Sequence, residues 1–403
     1  MEEALEGIKV ADFSWVAAGP LATLYLAAHG ATVIRVESLT HPDAIRTSSP
    51  FKDSIPGINR SGYFAFFNAN KFSIALNMSH PKAIEVARKL IIWSDIVVEN
   101  FTPGTMEKWG LGYEDLKKIK PSIVMLRTSN QGATGPHAQH PGFGHQLVAL
   151  CGFSEYTGWP DRAPVALGMA YTDPITPRYS VAALIAALDY RDRTGKGQML
   201  DISQMELGLQ FLAPLALDYT VNGRVGGRIG NACSYAAPHG IYRCRGEERW
   251  CAIAIFSDEE WQRFCQVIGR PSFAGEPKFV TLLKRKKNEA ELDQLVEDWT
   301  SHLAAEEVMN LLQTNGIPAG VVKNAEDIYN DPQLKQRGLS WVLEHKEIGP
   351  FQHLCVPFKL SKTPQYPRMP APCLGEDTQY VCREMLDISE QEFDELLIEG
   401  VFE

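Results

Sequence analysis

Ile8-Lys9-Val10-Ala11-Asp12-Phe13-Ser14-Trp15-Val16-Ala17-Ala18-Gly19-Pro20, continued through Leu21 to Gly30 and Ala31-Thr32-Val33-Ile34-Arg35-Val36-Glu37, is the stretch whose reading decides the fold. From Phe13 to Ile34 it runs 22 positions without a Lys, Arg, Asp or Glu, long enough in principle to cross a bilayer. Gly19-Pro20 breaks that reading. A proline there lets a strand end and a helix begin, His29-Gly30 supplies a helix stop, and the β-branched Thr32-Val33-Ile34 restores strand character. The segment reads as a strand over 8–13, a helix over 20–29 and a strand over 31–36, which a right-handed crossover makes parallel.

Working outward, the alternation continues. Helical periodicity covers 83–93, a short buried strand 96–98, a helix 103–109 and a strand 122–126, a series that predicts a doubly wound α/β sheet. An Ala-rich helix is expected from 177 to 193, stopping near Gly195, then a strand over 198–203 and a helix over 204–219. Around 222–230 the composition shifts to Gly and Arg, which marks a domain boundary. The expected organisation is a large domain over 1–222, a smaller α+β domain over 223–325 and a returning segment over 326–403. In the small domain a strand is expected over 250–256 and helices over 258–268 and 304–315. The tract 357–372 reads as an extended return, because apolar residues interrupt its prolines. Ser389-x-x-Glu392 forms a capping box before a final helix.

Composition bounds the function. The chain has 403 residues, 45% hydrophobic and 22% charged, with a formal net charge of −10, which excludes disorder and a staple-dependent mini-protein. Against 49 Asp and Glu stand only 39 Lys and Arg, so neither a nucleic-acid surface nor an anionic membrane is the expected partner. A small molecule is. Eight cysteines show no C-x-x-C spacing and read as reduced thiols of a cytoplasmic protein without a metal site. The acidic N-terminal residues lack the positive start that an export signal needs.

Two features bear on chemistry. The turn 15–20 and Glu37 stand where a dinucleotide enzyme places its glycine-rich loop and ribose acid, but the turn holds a single glycine, so a pyrophosphate lacks its close approach. Asp173, in Ala170-Tyr171-Thr172-Asp173-Pro174, precedes the Ala-rich helix with few charges nearby. A carboxylate there serves as a helix cap or as a nucleophile toward an activated acyl group. The residues alone leave both open.

Ordered blocks spread over nearly the whole chain resemble the class III CoA-transferase family, the group that contains formyl-CoA transferase, carnitine CoA-transferase and the α-methylacyl-CoA racemases. They are Leu5-Glu6-Gly7-Ile8-Lys9-Val10-Ala11-Asp12, Ala18-Gly19-Pro20, Gly30 through Glu37, Asn70-Lys71-Phe72-Ser73-Ile74, Val98-Glu99-Asn100-Phe101, Arg193 through Gln198, Gly316-Ile317-Pro318-Ala319-Gly320 and Gly375-Glu376. The resemblance implies a Rossmann-like large domain built from both chain ends, a smaller domain, and an interlocked dimer. It implies that Asp173 is the catalytic nucleophile, that the Val16-Ala17-Ala18 turn contacts the adenine end of CoA, and that Asn100 and Phe101, followed by Lys108 and Trp109, line its pantetheine channel. Arg46, Lys71 and Lys108 are the cations expected near its phosphates. The substrates implied are an acyl-CoA, such as succinyl-CoA, and a free carboxylic acid, with no permanently bound cofactor. The implied role requires an ionised Asp173, so a strongly raised pKa counts against it.

Two departures from the family pattern stand out. The glycine-rich lid of formyl-CoA transferase-like members is replaced by residues 231–240, leaving Tyr235 and His239, with His145 and Tyr171, as expected pocket residues. The His-Asp pair of the racemases aligns with Phe143-Gly144, which cannot move protons, so racemisation would need His145 to act with Asp173. A non-catalytic CoA-binding subunit of a hetero-oligomer is a third alternative.

Overall fold

In a computed structural model of the chain, residues 3–366 and 368–403 are described. The chain divides into two compact units: one up to Ser154, with Ala166–Val225 and everything from Lys335 on; the other Glu155–Val165 with Gly226–Leu334.

The larger unit is built on six parallel strands, β1 (Lys9–Asp12), β2 (Thr32–Glu37), β3 (Lys71–Ala75), β4 (Ile96–Glu99), β5 (Val124–Ser129) and β6 (Met199–Ser203), in the order β3-β2-β1-β4-β5-β6. This is the Rossmann-like order expected from the alternation, with the reversal of strand order between β1 and β4. Valine and isoleucine fill the strands because both faces are covered. Helix α1 (Ala18–Ala27) is buried at every position, as a helix apolar all round must be. It packs over β1 and β4 in a core of Val10, Ala22, Leu26, Val33, Val98, Leu126 and Leu184.

The opposite face is closed partly by the C-terminal segment. Val381, Cys382, Leu386, Phe393, Leu396 and Phe402 share one core with Phe13, Val36, Ile74 and Leu90. Ser38 Oγ donates to Glu403 O at 2.9 Å, and Ser73 N donates to Asp377 Oδ2 at 2.8 Å. The final helix, Glu390–Ile398, is capped by Ser389 Oγ, which accepts from Glu392 N at 3.2 Å. One residue of the proline-rich tract, Pro367, lies outside the described residues; those on either side carry no regular structure.

Two helices differ from expectation. The Ala-rich helix starts at Thr172 rather than 177 and runs to Thr194, so Asp173 lies inside its first turn. Pro174 is tolerated there because first-turn N–H groups have no helical partner, and Pro177 removes one ladder bond without ending the helix. The expected helix 204–219 is two, Gln204–Phe211 and Ala213–Asn222, parted at Leu212 with Pro214 opening the second.

The second unit has an antiparallel sheet of β7 (His239–Arg243), β8 (Trp250–Ala254) and β9 (Ala319–Val321). Its core holds Trp261, Phe264, Phe279, Leu292, Val296 and Leu312. Back in the larger unit, β10 (Ser340–His345) and β11 (Gly349–Leu354) form a hairpin in which Trp341 pairs with His353.

Candidate active site

The turns after β1 and β4 meet where the strand order reverses, the place at which α/β sheets bind ligands. They are clamped together by Asn100, whose Oδ1 accepts from Trp15 N at 2.8 Å and whose Nδ2 donates to Trp15 O at 2.7 Å. Val16 is held at φ 66°, a left-handed backbone that costs a β-branched residue free energy and persists only when its surroundings enforce it. Here the enforcing group is Asp43, which accepts from Val16 N at 2.9 Å while paired with Arg35.

Asp43 and Arg35 belong to a buried network in which three acids, Asp12, Glu37 and Asp43, offset three bases, Arg35, Arg46 and Lys71. Lys71 Nζ donates to Asp12 Oδ2 at 3.1 Å, Pro20 O at 2.8 Å and Asn68 Oδ1 at 2.9 Å. Arg46 grips Glu37 with two bonds of 2.8 and 2.7 Å. Burial alone would raise the Glu37 carboxyl; Arg35 and Arg46 hold it down to about 2. Arg46 and Lys71, the cations expected near a phosphate, are both fully buried; Arg46 spends its donors on Glu37, Asn59 and the carbonyls of Ile58 and Pro372, and Lys71 on Asp12, Asn68 and the carbonyl of Pro20. Lys108 is exposed at the end of the short helix Thr105–Lys108.

Beneath the clamp lies a cavity of about 230 Å³ lined by Val16, Ala17, Ala18, Asn100, Phe101 and the carboxyl of Asp173, with Thr128, Ser129, Phe143, Gly144 and Gln204 completing it. Burial pushes the Asp173 carboxyl from 3.8 up to about 6, opposed by the charge of His145. The rise runs against an unperturbed carboxylate. At about 6, however, the group is still mostly ionised at neutral pH, and it is a more basic oxygen than an exposed aspartate would offer.

Gly144 opens the Gly144–Leu150 helix against Asp173; a Cβ on it would lie 2.6 Å from Asp173 Oδ1 and 2.5 Å from the Ala170 Cβ. His145 is exposed on the same helix. Thr128 Oγ1, Ser129 Oγ and Gln204 Oε1 are buried in the cavity lining without hydrogen-bond partners among the described residues. Such orphaned atoms are costly unless a ligand meets them. Sequence reading missed all three, because ordinary polar residues at strand and helix ends carry no motif.

Asp173 and Ala17 also line a second cavity, about 450 Å³, whose other residues include Leu21, Leu24, Tyr63, Phe67, Trp341 and His353. A third, about 300 Å³, lies at the C-terminal ends of β1 to β3 among Phe13, Trp15, Val36, Leu76, Phe101 and Trp109. Phe101 joins it to the first and sets its ring edge-on to Trp15 and Trp109, with centroids 5.8 and 5.6 Å away.

The remaining expected pocket residues are dispersed. Tyr171 precedes the Asp173 helix and packs against Phe153 and Phe211 at 5.2 and 6.1 Å; it lines none of the three cavities, which corrects its expected place. Tyr235 and His239 stand in the second unit, Tyr235 stacked on Phe256 at 6.2 Å and His239 Nδ1 2.7 Å from Asn231 O. Among the described residues no cluster of His, Cys, Asp and Glu has a metal-binding arrangement, and no helix is long and apolar enough to cross a membrane.

Comparison with known proteins places this arrangement. The chain matches the pattern of CoA-transferase family III over residues 5–378. It is 30% identical to succinyl-CoA–D-citramalate CoA-transferase of Chloroflexus aurantiacus, covering 96% of this chain and 95% of that protein. It is 31% identical to succinate–glutarate CoA-transferase of Agrobacterium fabrum, covering 94% and 95%, and 32% identical to the beta subunit of succinyl-CoA–L-malate CoA-transferase of Chloroflexus aurantiacus, covering 97% and 96%. Among solved structures it superposes on a CAIB/BAIF family protein from Brucella suis with a TM-score of 0.87 at 30% identity, over 96% of this chain and 100% of that one. A CoA thioester is then a substrate of the enzyme rather than a resident group, and the chain belongs to CoA-transferase family III.

Proposed function

We propose that the protein moves CoA from an acyl-CoA donor, succinyl-CoA being the first to test, to a free carboxylic acid, with Asp173 as the covalent carrier. The observation that carries this reading is that Asp173 lines two cavities, one with several polar side chains and sharing Phe101 with an aromatic slot, the other mostly apolar. A carrier must face both the thioester and the acid.

In the first step an Asp173 carboxylate oxygen attacks the donor thioester carbonyl; the C–S bond breaks, CoA leaves as its thiolate, and an aspartyl-acyl anhydride remains. The thiolate then attacks the aspartyl carbonyl, releasing the donor acid as a carboxylate and leaving aspartyl-CoA thioester. The acceptor carboxylate attacks that thioester, again expelling thiolate, and the thiolate attacks the acceptor's carbonyl to give the new acyl-CoA and free Asp173. Charge is conserved throughout, and no proton need move.

In this reading Val16, Ala17 and Ala18, which share a cavity with Asp173, line the thiol end of CoA rather than its adenine end, with Asn100 and Phe101 beside them, and the slot beside Trp15 and Trp109 takes its nucleoside end. Lys108 is the exposed cation left for its phosphates. Thr128, Ser129 and Gln204 offer their unmatched polar atoms to the amides and carbonyl oxygens of the bound thioester. His145, beside the carboxyl, steadies its charge. Tyr235 and His239 keep their expected role as substrate-contacting residues, and the assembly is an interlocked homodimer; pairing with a paralogous subunit is the alternative, since relatives are named as subunits.

Hydroxylamine added during turnover tests the carrier: mass spectrometry should find the label on Asp173. A label elsewhere, full activity in Asp173→Ala, or exchange of a donor α-proton with solvent deuterium in the absence of a second acid would overturn the reading. Turnover by the purified chain alone separates the homodimer from a heteromer.

A further inference from the structure

The second cavity is notable for one residue. His353 is only 2% exposed, lines the cavity, and has neither ring nitrogen hydrogen-bonded among the described residues. A buried imidazole with both nitrogens unmatched carries an uncompensated desolvation cost at each, so its retention calls for a partner that arrives with a ligand. Burial, with His345 nearby, pushes it down to about 4, which keeps the ring neutral, one nitrogen donating and the other accepting. Apart from Asp173 and Arg178 the lining is mostly apolar, with Leu21, Leu24, Phe67 and Trp341 among its residues. Trp341 faces His353 across the β10–β11 hairpin, so the position of the imidazole is set by strand register and not by a loop. All of these residues belong to the larger unit.

Size narrows the class of occupant. At about 30 Å³ for each water in the liquid, a volume of about 450 Å³ holds on the order of 15 non-hydrogen atoms. A four-carbon dicarboxylate would leave roughly half of it empty. Arg178, the cation in the lining, is exposed and gives one guanidinium N–H to Pro174 O one turn back along its own helix.

We propose that this cavity is the acid-binding pocket of the enzyme and takes a carboxylic acid with a bulky hydrocarbon or aromatic body, whose remote hydroxyl or carbonyl oxygen is read by His353. The pocket opens on Asp173, so its place in catalysis rests on the reading of Asp173 as carrier, whereas its ligand class does not. His353 is thereby a specificity residue, remote from the reacting atoms.

Calorimetry with the purified full-length chain measures the affinity of para-hydroxyphenylpropanoate, phenylpropanoate and glutarate, independently of turnover. The hydroxylated aromatic acid should bind at least tenfold more tightly than either of the others. In His353→Phe, which keeps ring volume and burial, the advantage over phenylpropanoate should vanish. Met169 is 54% exposed, so Met169→Trp fills the pocket without touching the core and should weaken both aromatic acids tenfold or more, even if His353→Phe fails to fold. Tighter binding of glutarate, an unchanged preference in a folded His353→Phe protein, or indifference to Met169→Trp would overturn the proposal. Hydroxylamine labelling in parallel keeps the two readings apart: loss of the label with the affinity pattern intact removes the carrier and leaves the pocket, and the reverse result removes the pocket alone.

Discussion

Gly144 and Asp173 are packed so closely that the smallest side chain on the glycine would collide with the carboxyl, its Cβ falling 2.6 Å from Asp173 Oδ1. The absence of a methyl group thus leaves the space in which the Asp173 oxygen sits. Gly144→Ala should leave the fold intact, because Gly144 begins a short helix where alanine is favoured, yet reduce kcat by about a hundredfold, the order of loss expected when a reacting group is displaced by about 1 Å. Steady-state kinetics with an unchanged circular dichroism spectrum checks this; wild-type kcat would contradict it.

The raised Asp173 pKa sets a pH profile. The carboxylate is the attacking form, so kcat/KM should rise with pH and level off above an inflection near 6. Stability runs the other way. A carboxyl whose folded pKa exceeds its unfolded value destabilises the protein above the folded pKa, and the cost is relieved as pH falls from about 6 toward 3.8. Asp173→Asn should abolish transfer and raise the melting temperature at pH 8, by an amount corresponding to at most about 3 kcal/mol, with the gain shrinking toward pH 4.

Arg46 separates a structural from a ligand-binding cation. Its two bonds to Glu37 are buried, so Arg46→Met should destabilise the protein by about 3 kcal/mol, because it leaves the buried carboxylate with Arg35 as its one remaining cationic partner. Arg46→Lys should also destabilise, since an ammonium cannot reproduce a two-pronged grip. Denaturant titration reads both. A large rise in KM for acyl-CoA with unchanged stability would return Arg46 to the phosphate role.

Glu37 adds an acid limit. Held at about 2 by its guanidinium partners, it contributes stability that is complete above its unfolded value near 4.5 and is lost as pH falls through about 2. In Glu37→Gln that part of the acid-denaturation slope should disappear, which stability measurements between pH 5 and 2 would detect.

Asn100 joins the two turns through both ends of its amide. Asn100→Ala leaves the Trp15 N–H and carbonyl without those partners, at roughly 1–3 kcal/mol each where burial is complete, and frees the Val16 turn. KM for acyl-CoA should rise more than kcat falls. Asn100→Asp, which keeps the acceptor but not the donor, should fall between.

Much of the sheet was legible because its signal is local. Val10-Ala11, Val33-Ile34, Ile96-Val97-Val98 and Val124-Met125 are short apolar runs between turn signals, and each reports its burial in its own composition. The start of the Asp173 helix was not legible, since Pro174 and Pro177 read as breakers until first-turn geometry is known. The burial of Arg46 and Lys71 was not legible for a different reason: a charge in a sequence carries no mark of the partner that neutralises it, and theirs stand at Glu37 and Asp12. Thr128, Ser129 and Gln204 show their unmatched atoms only once the cavity is built.

The sequence by itself determined the order of strands and helices, the crossover that makes the first two strands parallel, and, through resemblance, the aspartate to look at, because periodicity and ordered motif blocks are properties of neighbours along the chain. Only the tertiary structure decided that Lys71 braces the first turn while Arg46 grips Glu37, that Gly144 clears space for Asp173, and that His353, 180 positions further on, lines a cavity with it. These depend on contacts between residues far apart in the chain, and the short stretch around a charge, a glycine or a histidine does not encode the partner it meets.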